Sequence, residues 1–311
     1  MSALVPGTPG AQLHRALAVG NFDGVHLGHR AILARLVQRA GSDLVPTVVT
    51  FDPHPRRVLD PARAPALLTA IEERVRLLKG AGATEVVAVP FDLSLASLAP
   101  EAFVREWLVG RLGGRAVVVG EGFRFGHLGA GNVGLLRRLG TAWGFTVDAV
   151  APVCVDGEPV SSSRIREHLF AGEVERAARL LGRPYALAGP VVEGRHRGRT
   201  LGFPTANVRW DPRLVLPAPG VYVVEADFGQ GPRLALASIG SRPTFGESDV
   251  TLEVYVVDFS QDLYGRRLEV AFHAFVRPEE RFVDAAALVR RMHEDVDVAR
   301  RLFARGFSAR A

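Results

Sequence analysis

Five short apolar runs, at residues 16–19, 46–51, 85–91, 116–120 and 145–153, are separated by stretches whose apolar residues recur at helical spacing. Strands that alternate with helices are joined by crossovers, so they pair in parallel and take helices on both faces of one sheet. The first part of the chain is therefore predicted to be α/β, a Rossmann-like, doubly wound parallel sheet. After Gly182-Arg183-Pro184 strand-like runs follow one another directly, near 185–192, 206–210, 221–227, 234–239, 251–259 and 267–275. Such succession, broken by Gly and Pro, predicts a small antiparallel β-barrel followed by a terminal helix over 279–303. Two domains result, 1–182 and 183–311.

Composition narrows the setting. With 311 residues, 48% of them hydrophobic, the chain can bury a large core. No stretch approaches eighteen uninterrupted apolar residues, which argues against a membrane span, and the first thirty residues do not read as a signal peptide. Cys154 is the single cysteine; a disulfide framework is excluded and a reducing, cytoplasmic compartment is expected. The net charge is only +5. Its arginines are scattered among acids, as in Glu72-Glu73-Arg74-Arg76 and Glu173-Glu175-Arg176-Arg179, the pattern of solvated helix faces rather than of a nucleic-acid surface. Thr69-x-x-Glu72 reads as a capping box, and Pro100 suits the first turn of a helix whose Phe103, Trp107 and Leu108 are core residues.

The segment Gly20-Asn21-Phe22-Asp23-Gly24-Val25-His26-Leu27-Gly28-His29 joins the first strand to the first helical pattern. A helix N-terminus at the end of a parallel strand offers free N–H groups and a positive dipole end, so phosphate is its natural occupant. His26 and His29, three residues apart across the helix start, can point at the same phosphates. Half of a zinc site is the rival reading, but no third ligand stands at a recognisable spacing.

In an open parallel sheet ligands bind beyond the carboxyl ends of the strands. Three further segments fall there. Thr50-Phe51-Asp52-Pro53-His54-Pro55 carries Asp52 and His54 on a proline-stiffened exit, and Val160-Ser161-Ser162-Ser163-Arg164-Ile165-Arg166 opens a helix with hydroxyls and an arginine one turn in. The third runs from Gly120 to Asn132 and includes Phe123 and Phe125. In the second domain, a glycine-rich loop through Gly194, Gly198, Arg199, Gly202 and Pro204 enters a strand, without the ending of a P-loop. Thr205 and Asn207, two apart, share a strand face and offer neutral oxygens suited to Mg²⁺ held jointly with ATP phosphates. Glu253 lies in a strand apolar on both faces, where a carboxylate needs a partner or a task; a salt-bridged or edge glutamate is the alternative.

The H-x-G-H signature within G-x-F-D-G-x-H-x-G-H is that of nucleotidylyltransferases, and this version resembles the bacterial bifunctional riboflavin kinase/FMN adenylyltransferase (FAD synthetase) family. G-R-x-L-G-F-P-T-A-N at residues 198–207, Gly220-Val221-Tyr222, the segment from Ile239 to Phe245, Glu253 and Asp262-Leu263-Tyr264-Gly265 resemble riboflavin kinase in the same order. The resemblance implies a nucleotidylyltransferase domain over 1–182 and a riboflavin kinase domain over 183–311. It implies a transferase that phosphorylates riboflavin to FMN with ATP and then adenylylates FMN to FAD, with Mg²⁺ accompanying ATP. By resemblance His26, His29 and Arg166 serve adenylyl transfer and Glu253 is the base on the riboflavin hydroxyl. Gly20, Phe22, Asp23, Gly24, Gly28, Ser162 and Ser163, with the second-domain loop residues, would contact nucleotide or phosphate. Asp52, His54, Phe123 and Phe125 would contact flavin, and Thr205 and Asn207 the metal. No nucleic acid or membrane partner is implied.

The chain departs from the family pattern at two places. Gly122 occupies a position usually Asp or Asn, and Leu128-Gly129 stands where basic residues are common. A riboflavin kinase with weak or lost adenylyltransferase activity is therefore the nearest alternative. From another class comes a non-catalytic flavin- or RNA-binding protein, with Arg195, Arg197, Arg199 and Phe203 as its contacts.

Overall fold

The structure, a computed structural model, describes residues 13–193, 202–244 and 247–305. The chain divides into two compact units, Met1–Ser162 and Ser163–Ala311.

The first unit begins β1 (Arg15–Val19), α1 (Leu27–Ala40), β2 (Val45–Asp52), α2 (Pro55–Leu59), α3 (Ile71–Gly80) and β3 (Glu85–Pro90). There follow α4 (Leu93–Ala96), α5 (Pro100–Phe103), β4 (Gly114–Gly120), the two-residue strands β5 (Arg124–Phe125) and β6 (Gly131–Asn132), α6 (Val133–Trp143) and β7 (Thr146–Val150), then β8 (Cys154–Val155) and β9 (Glu158–Pro159). Five strands form one sheet in the order β3-β2-β1-β4-β7, parallel throughout. From β1 the chain builds outward through β2 and β3, then returns to lay β4 on the other side of β1; the crevice at that reversal lies at the carboxyl end of β1.

Both sheet faces are buried, as the near-continuous apolar strands require. Along β1, Leu17 and Val19 join a core with Phe103, Leu108 and Leu136, while Ala16 and Ala18 join a second with Leu33, Leu36 and Leu78. Pro100 does open α5, which continues as a π-helix over Val104–Arg111. Two sequence expectations fail here. The residue before α3 is Ala70, with no side-chain cap, because the Thr69 hydroxyl is engaged by the loop after β1. Arg74 is not on a solvated face: it is 1% exposed and shares the buried stripe of α3 with Leu78.

The second unit opens with a helical pair, α7 (Ser162–Phe170) and α8 (Val174–Leu181), which precedes the barrel strands. These are β10 (Tyr185–Val192), β11 (Ala206–Val208), β12 (Gly220–Asp227), β13 (Arg233–Thr244), β14 (Glu247–Val256) and β15 (Arg267–Arg277), followed by α9 (Ala285–Ala304). The barrel closes in the order β10-β11-β14-β13-β12-β15, which leaves no open sheet edge. On α8, Val174, Ala177, Leu180 and Leu181 form a fully buried stripe, and Glu175 accepts a hydrogen bond from the Phe275 amide at 3.1 Å. The Ala218 amide bonds the Leu169 carbonyl at 3.0 Å. The pair packs as part of the barrel unit.

The terminal helix starts later than its pattern predicts. Asp284 caps it by accepting from the Ala287 amide at 2.7 Å, and such a cap with extended backbone ends the irregular stretch after Pro278. Val296 and Ala299 of α9 pack over Val221, Val223 and Leu236. Among the described residues, no helix is long and apolar enough to cross a membrane.

Candidate active sites

His26 is the N-cap of α1. Its Nδ1 accepts from the His29 amide at 3.2 Å, which leaves the ring proton on Nε2. The two imidazoles stack with centroids 3.6 Å apart and planes 14° from parallel. Gly28 makes that approach feasible, since a Cβ there would lie 3.2 Å from the His26 ring. His29 also leans on Phe22, with centroids 5.1 Å apart. Burial pushes the His29 pKa well below 6.5, and His26 and then Arg74 lower it further. A neutral His29 results, whose buried Nδ1 has no hydrogen-bond partner among the described residues.

The loop that presents this pair is strained. Phe22, Gly24 and Val25 have φ of 50°, 85° and 42°; glycine adopts that region freely, but a β-branched valine there is an outlier. Asp23 holds the loop down. Its carboxylate accepts from the amides of Leu68 and Thr69, all at 3.0 Å, and from the Thr69 hydroxyl at 3.2 Å. Arg74 lies 3.6 Å from it, and the Gly24 amide donates to Thr69 Oγ1 at 3.1 Å. The Ser162 hydroxyl donates to the Asp23 carbonyl at 2.8 Å.

Several residues predicted to touch nucleotide thus have other work. Asp23 is 2% exposed and saturated by its neighbours, and Phe22 is a core residue at 1%. Ser162 ties down the loop. Gly20, at the exit of β1, lines the cavity described next. Ser163 is exposed in the first turn of α7, and Arg166 is buried one turn further on. Arg74 and Thr69 were missed as parts of the site. For Arg74 the available signal was its position four residues before the buried Leu78.

A cavity of about 540 Å³ opens beyond the sheet. Phe51, Phe91, Phe103, Phe123 and Phe125 line it; Phe123 and Phe125 stack at 5.5 Å, and Phe51 meets Phe91 edge-on at 5.6 Å. Phe103 therefore serves both the core and the cavity, where the sequence suggested core alone. Asp52 and His54 do not line it. Asp52 is exposed, and His54 caps α2 by accepting from the Arg56 amide at 3.2 Å, with its Nε2 3.4 Å from Asn21 Nδ2. Asn21 does line the cavity. A Cβ on Gly122 would meet nothing within 4 Å.

In the barrel unit, Thr205, Asn207 and Glu253 come together as predicted. Asn207 is the register partner of Glu253 across β11 and β14, and the Thr205 hydroxyl donates to Glu253 Oε2 at 3.2 Å. Thr205 and Asn207 are half-buried and alternate with buried Ala206 and Val208, so they share a face. Two cavities meet at Thr205. One of about 460 Å³ is lined by Pro204, Thr205, Phe259 and Tyr264 among others; the second, about 240 Å³, by Thr205, Glu253, Tyr255, Arg277 and Asp295. Asp295 of α9 receives a forked hydrogen bond from Arg277, with Nη2–Oδ2 at 2.9 Å, which pins the helix over the smaller cavity. Gly202 is exposed, whereas Gly194, Gly198 and Arg199, like Arg195 and Arg197, lie outside the described residues. Phe203 is 4% exposed, wedged between Tyr255 and His293. A ring so buried is no platform for stacking RNA bases.

Thr205 and Asn207 supply the hard oxygen donors that Mg²⁺ takes together with phosphates. Among the described residues no cluster of three His, Cys, Asp or Glu could hold a metal without such help.

Residues 9–164 match the family model for FAD synthetase, and residues 181–303 that for riboflavin kinase. A bifunctional riboflavin kinase/FMN adenylyltransferase from Pseudomonas fluorescens is 44% identical over 288 residues, 92% of each chain. The proteins of the same description from Escherichia coli K12 and Listeria monocytogenes are 38% and 36% identical, with at least 92% of each chain covered. A crystal structure described as a macrolide-efflux protein from Streptococcus pneumoniae shares the fold, with TM-score 0.86 at 32% identity over 94% of this chain and 95% of that one.

Proposed function

The chain belongs to the bifunctional riboflavin kinase/FMN adenylyltransferase family, and on that premise we propose how its residues divide the work between the two units. The protein is a transferase of flavin biosynthesis: ATP phosphorylates riboflavin to FMN, and a second ATP adenylylates FMN to FAD. What supports the assignment of sites is that each unit has its own ligand-sized cavity, the aromatic one lined by Gly20 and Asn21 of the segment that leads to His26 and His29, and the smaller barrel one by Thr205 and Glu253.

For adenylyl transfer, an FMN phosphate oxygen attacks the α-phosphorus of ATP, and the bond to the bridging oxygen breaks, releasing pyrophosphate. A phosphate monoester, with a second pKa of about 6, is already mostly ionised near neutral pH and needs no base. Positioning and charge stabilisation remain. The imidazoles of His26 and His29, stacked at the start of α1, are suited to donate to the transferring and leaving phosphates. Ser163 and Arg166 hold the triphosphate by resemblance alone, and the aromatic cavity takes the isoalloxazine ring of FMN, with Phe123 and Phe125 against it.

For the kinase, the 240 Å³ cavity takes riboflavin and the 460 Å³ cavity takes ATP. Thr205, common to both, marks where the γ-phosphate meets the flavin hydroxyl, and Glu253 removes that hydroxyl's proton. Mg²⁺ on Thr205 and Asn207 would neutralise charge on the transferring phosphate. The single cysteine, Cys154, suits a cytoplasmic setting.

Incubation of the purified chain with riboflavin, ATP and Mg²⁺, followed by chromatography over time, tests both halves. FMN followed by FAD is expected. FMN alone would mean that the departures at Gly122 and Leu128 have disabled the first unit, and neither product would overturn the reading.

A further inference from the structure

Arg233 opens β13 and is exposed. Among the described residues its side chain makes no ion pair and no hydrogen bond. Its guanidinium stands instead over two phenyl rings, 5.7 Å from the centroid of Phe228 and 5.4 Å from that of Phe259. The two rings meet at 4.9 Å, tilted by 44°. Arg266 adds a second cation: its guanidinium lies 5.0 Å from the Phe228 centroid and donates to the Phe228 carbonyl at 3.3 Å. Phe228 is 6% exposed, so the stack is anchored on a buried ring. A cation within about 6 Å of an aromatic centroid is drawn to the ring face, and the planar, weakly hydrated guanidinium suits that place.

The stack joins segments distant in sequence. Phe228 and Arg233 flank the turn between β12 and β13, whereas Phe259 lies in the irregular stretch between β14 and β15. That stretch walls the 460 Å³ cavity, which the unbroken run from Phe259 to Tyr264 lines. Backbone bonds fix its far end: the Gly265 amide donates to the Val191 carbonyl at 3.0 Å, and the Val191 amide to the Arg266 carbonyl at 2.9 Å. At the near end the Val257 amide donates to the Leu234 carbonyl at 2.9 Å. Asp258 there pairs with Arg300, but the side chains are 77% and 54% exposed, and such surface pairs hold little. Phe259 is the lining residue that the arginine stack grips.

We propose that Arg233 is a positioning residue for the kinase nucleotide: it touches no substrate, but by clasping Phe259 against Phe228 it fixes the wall against which ATP docks. The proposal rests on the reading of the larger barrel cavity as the ATP site. A clasp made of rings and cations holds the wall without adding a carboxylate that would repel a polyphosphate. Its loss lowers the fraction of molecules with the wall in place, which weakens apparent ATP affinity in proportion. The transfer step is spared, because Asn207 and Glu253 sit on the paired strands β11 and β14.

The test uses the full-length protein with Arg233→Met, Arg233→Lys and Phe259→Ala, assayed for FMN formation at varied ATP and varied riboflavin. Methionine keeps the apolar stem of an exposed residue, so the fold should hold, as an unchanged KM for riboflavin and an unchanged kcat at saturating ATP would report. Losing the cation predicts a KM for ATP raised roughly fivefold in Arg233→Met. Arg233→Lys restores a cation and should bring it back to within about twofold of wild type. FAD formation from added FMN, which draws its ATP to the first unit, should keep its KM for ATP in every variant. Phe259→Ala should raise the kinase KM for ATP at least as far as Arg233→Met does. A raised KM in Phe259→Ala alone would overturn the clasp and leave the cavity assignment standing. An unchanged KM in both would overturn the cavity assignment and the clasp with it. A rise that lysine does not relieve would trace to packing of the arginine stem, and equal rises for ATP and riboflavin to general loosening of the barrel; either overturns the positioning role.

Discussion

The carboxylate of Asp23 lies 3.6 Å from the guanidinium of Arg74, and each side chain is only 2% exposed. Neither faces a ligand, yet both fix the loop whose next residues are Gly24, Val25 and His26. Removing one partner leaves the other charged and buried, at a cost of about 3–5 kcal/mol. Asp23→Ala should therefore lower stability by that order in urea unfolding and slow FAD formation. Asp23→Asn combined with Arg74→Met should recover part of the stability, because no uncompensated charge remains. Equal losses in the single and double variants would argue against the ion pair as the cause.

His29→Ala should remove FAD formation and leave FMN formation intact, since the two reactions use different units. The acid side carries a second prediction. The folded His29 pKa lies below the ordinary 6.5, so as pH falls through 6.5 the unfolded chain takes up a proton that the folded chain refuses. Stability should decline below pH 6.5, and His29→Gln should flatten that decline in chemical denaturation across the acid range. The His29 imidazole itself should show no titration near 6.5 when followed by NMR of the folded protein, and a midpoint there would contradict the depressed pKa.

Glu253→Gln should abolish FMN production while FMN supplied from outside is still adenylylated. Thr205→Val, which cuts the hydroxyl bond to Glu253, should reduce kinase turnover by less than the loss of Glu253 itself. A quench-flow assay with riboflavin and ATP separates the two.

Arg277 and Asp295 hold α9 against the barrel through a fork that is 8% and 4% exposed at the side chains. Asp295→Ala leaves the buried arginine only the Pro278 carbonyl and, at 3.9 Å, Glu280, at a cost of up to about 3 kcal/mol, and frees the helix that covers the smaller cavity. The expected signature is a lower melting temperature and a raised KM for riboflavin, with FAD formation from added FMN unaffected at temperatures below the transition.

Tyr222 offers an alkaline counterpart. Its phenol donates to the Ala218 carbonyl, and burial, with Glu175 nearby, raises its pKa to about 12. An unfolded tyrosine ionises near pH 10, roughly where the free side chain does. The stabilisation is complete below pH 10 and is lost as pH rises toward 12. Tyr222→Phe should be slightly less stable at neutral pH, by about 1 kcal/mol, yet lose stability less steeply above pH 10.

The alternation of strands and helices before residue 182, and the close succession of strands after it, made both architectures legible, because period and connection are local properties of sequence. The stacked pair His26 and His29 was legible for the same reason: a spacing of three at a helix start brings the two rings together. The buttress was not. Thr69 reads as a cap and Arg74 as surface until β1 brings the Asp23 loop against them, a contact between residues about 45 positions apart. Asp52 and His54 were assigned to flavin by the family resemblance, but Asp52 is exposed outside the cavity lining and His54 spends its Nδ1 on its own helix.

The helical pair α7 and α8 has a bearing on how this protein can be cut. Its buried stripe of Val174, Ala177, Leu180 and Leu181 and the Glu175 bond to Phe275 belong to the barrel unit. A kinase fragment begun at residue 183, where the strands begin, would bare the wall those side chains cover and should be prone to aggregation. One begun near residue 163 keeps its own outer coat, and that is where a scissile linker or a fusion partner belongs.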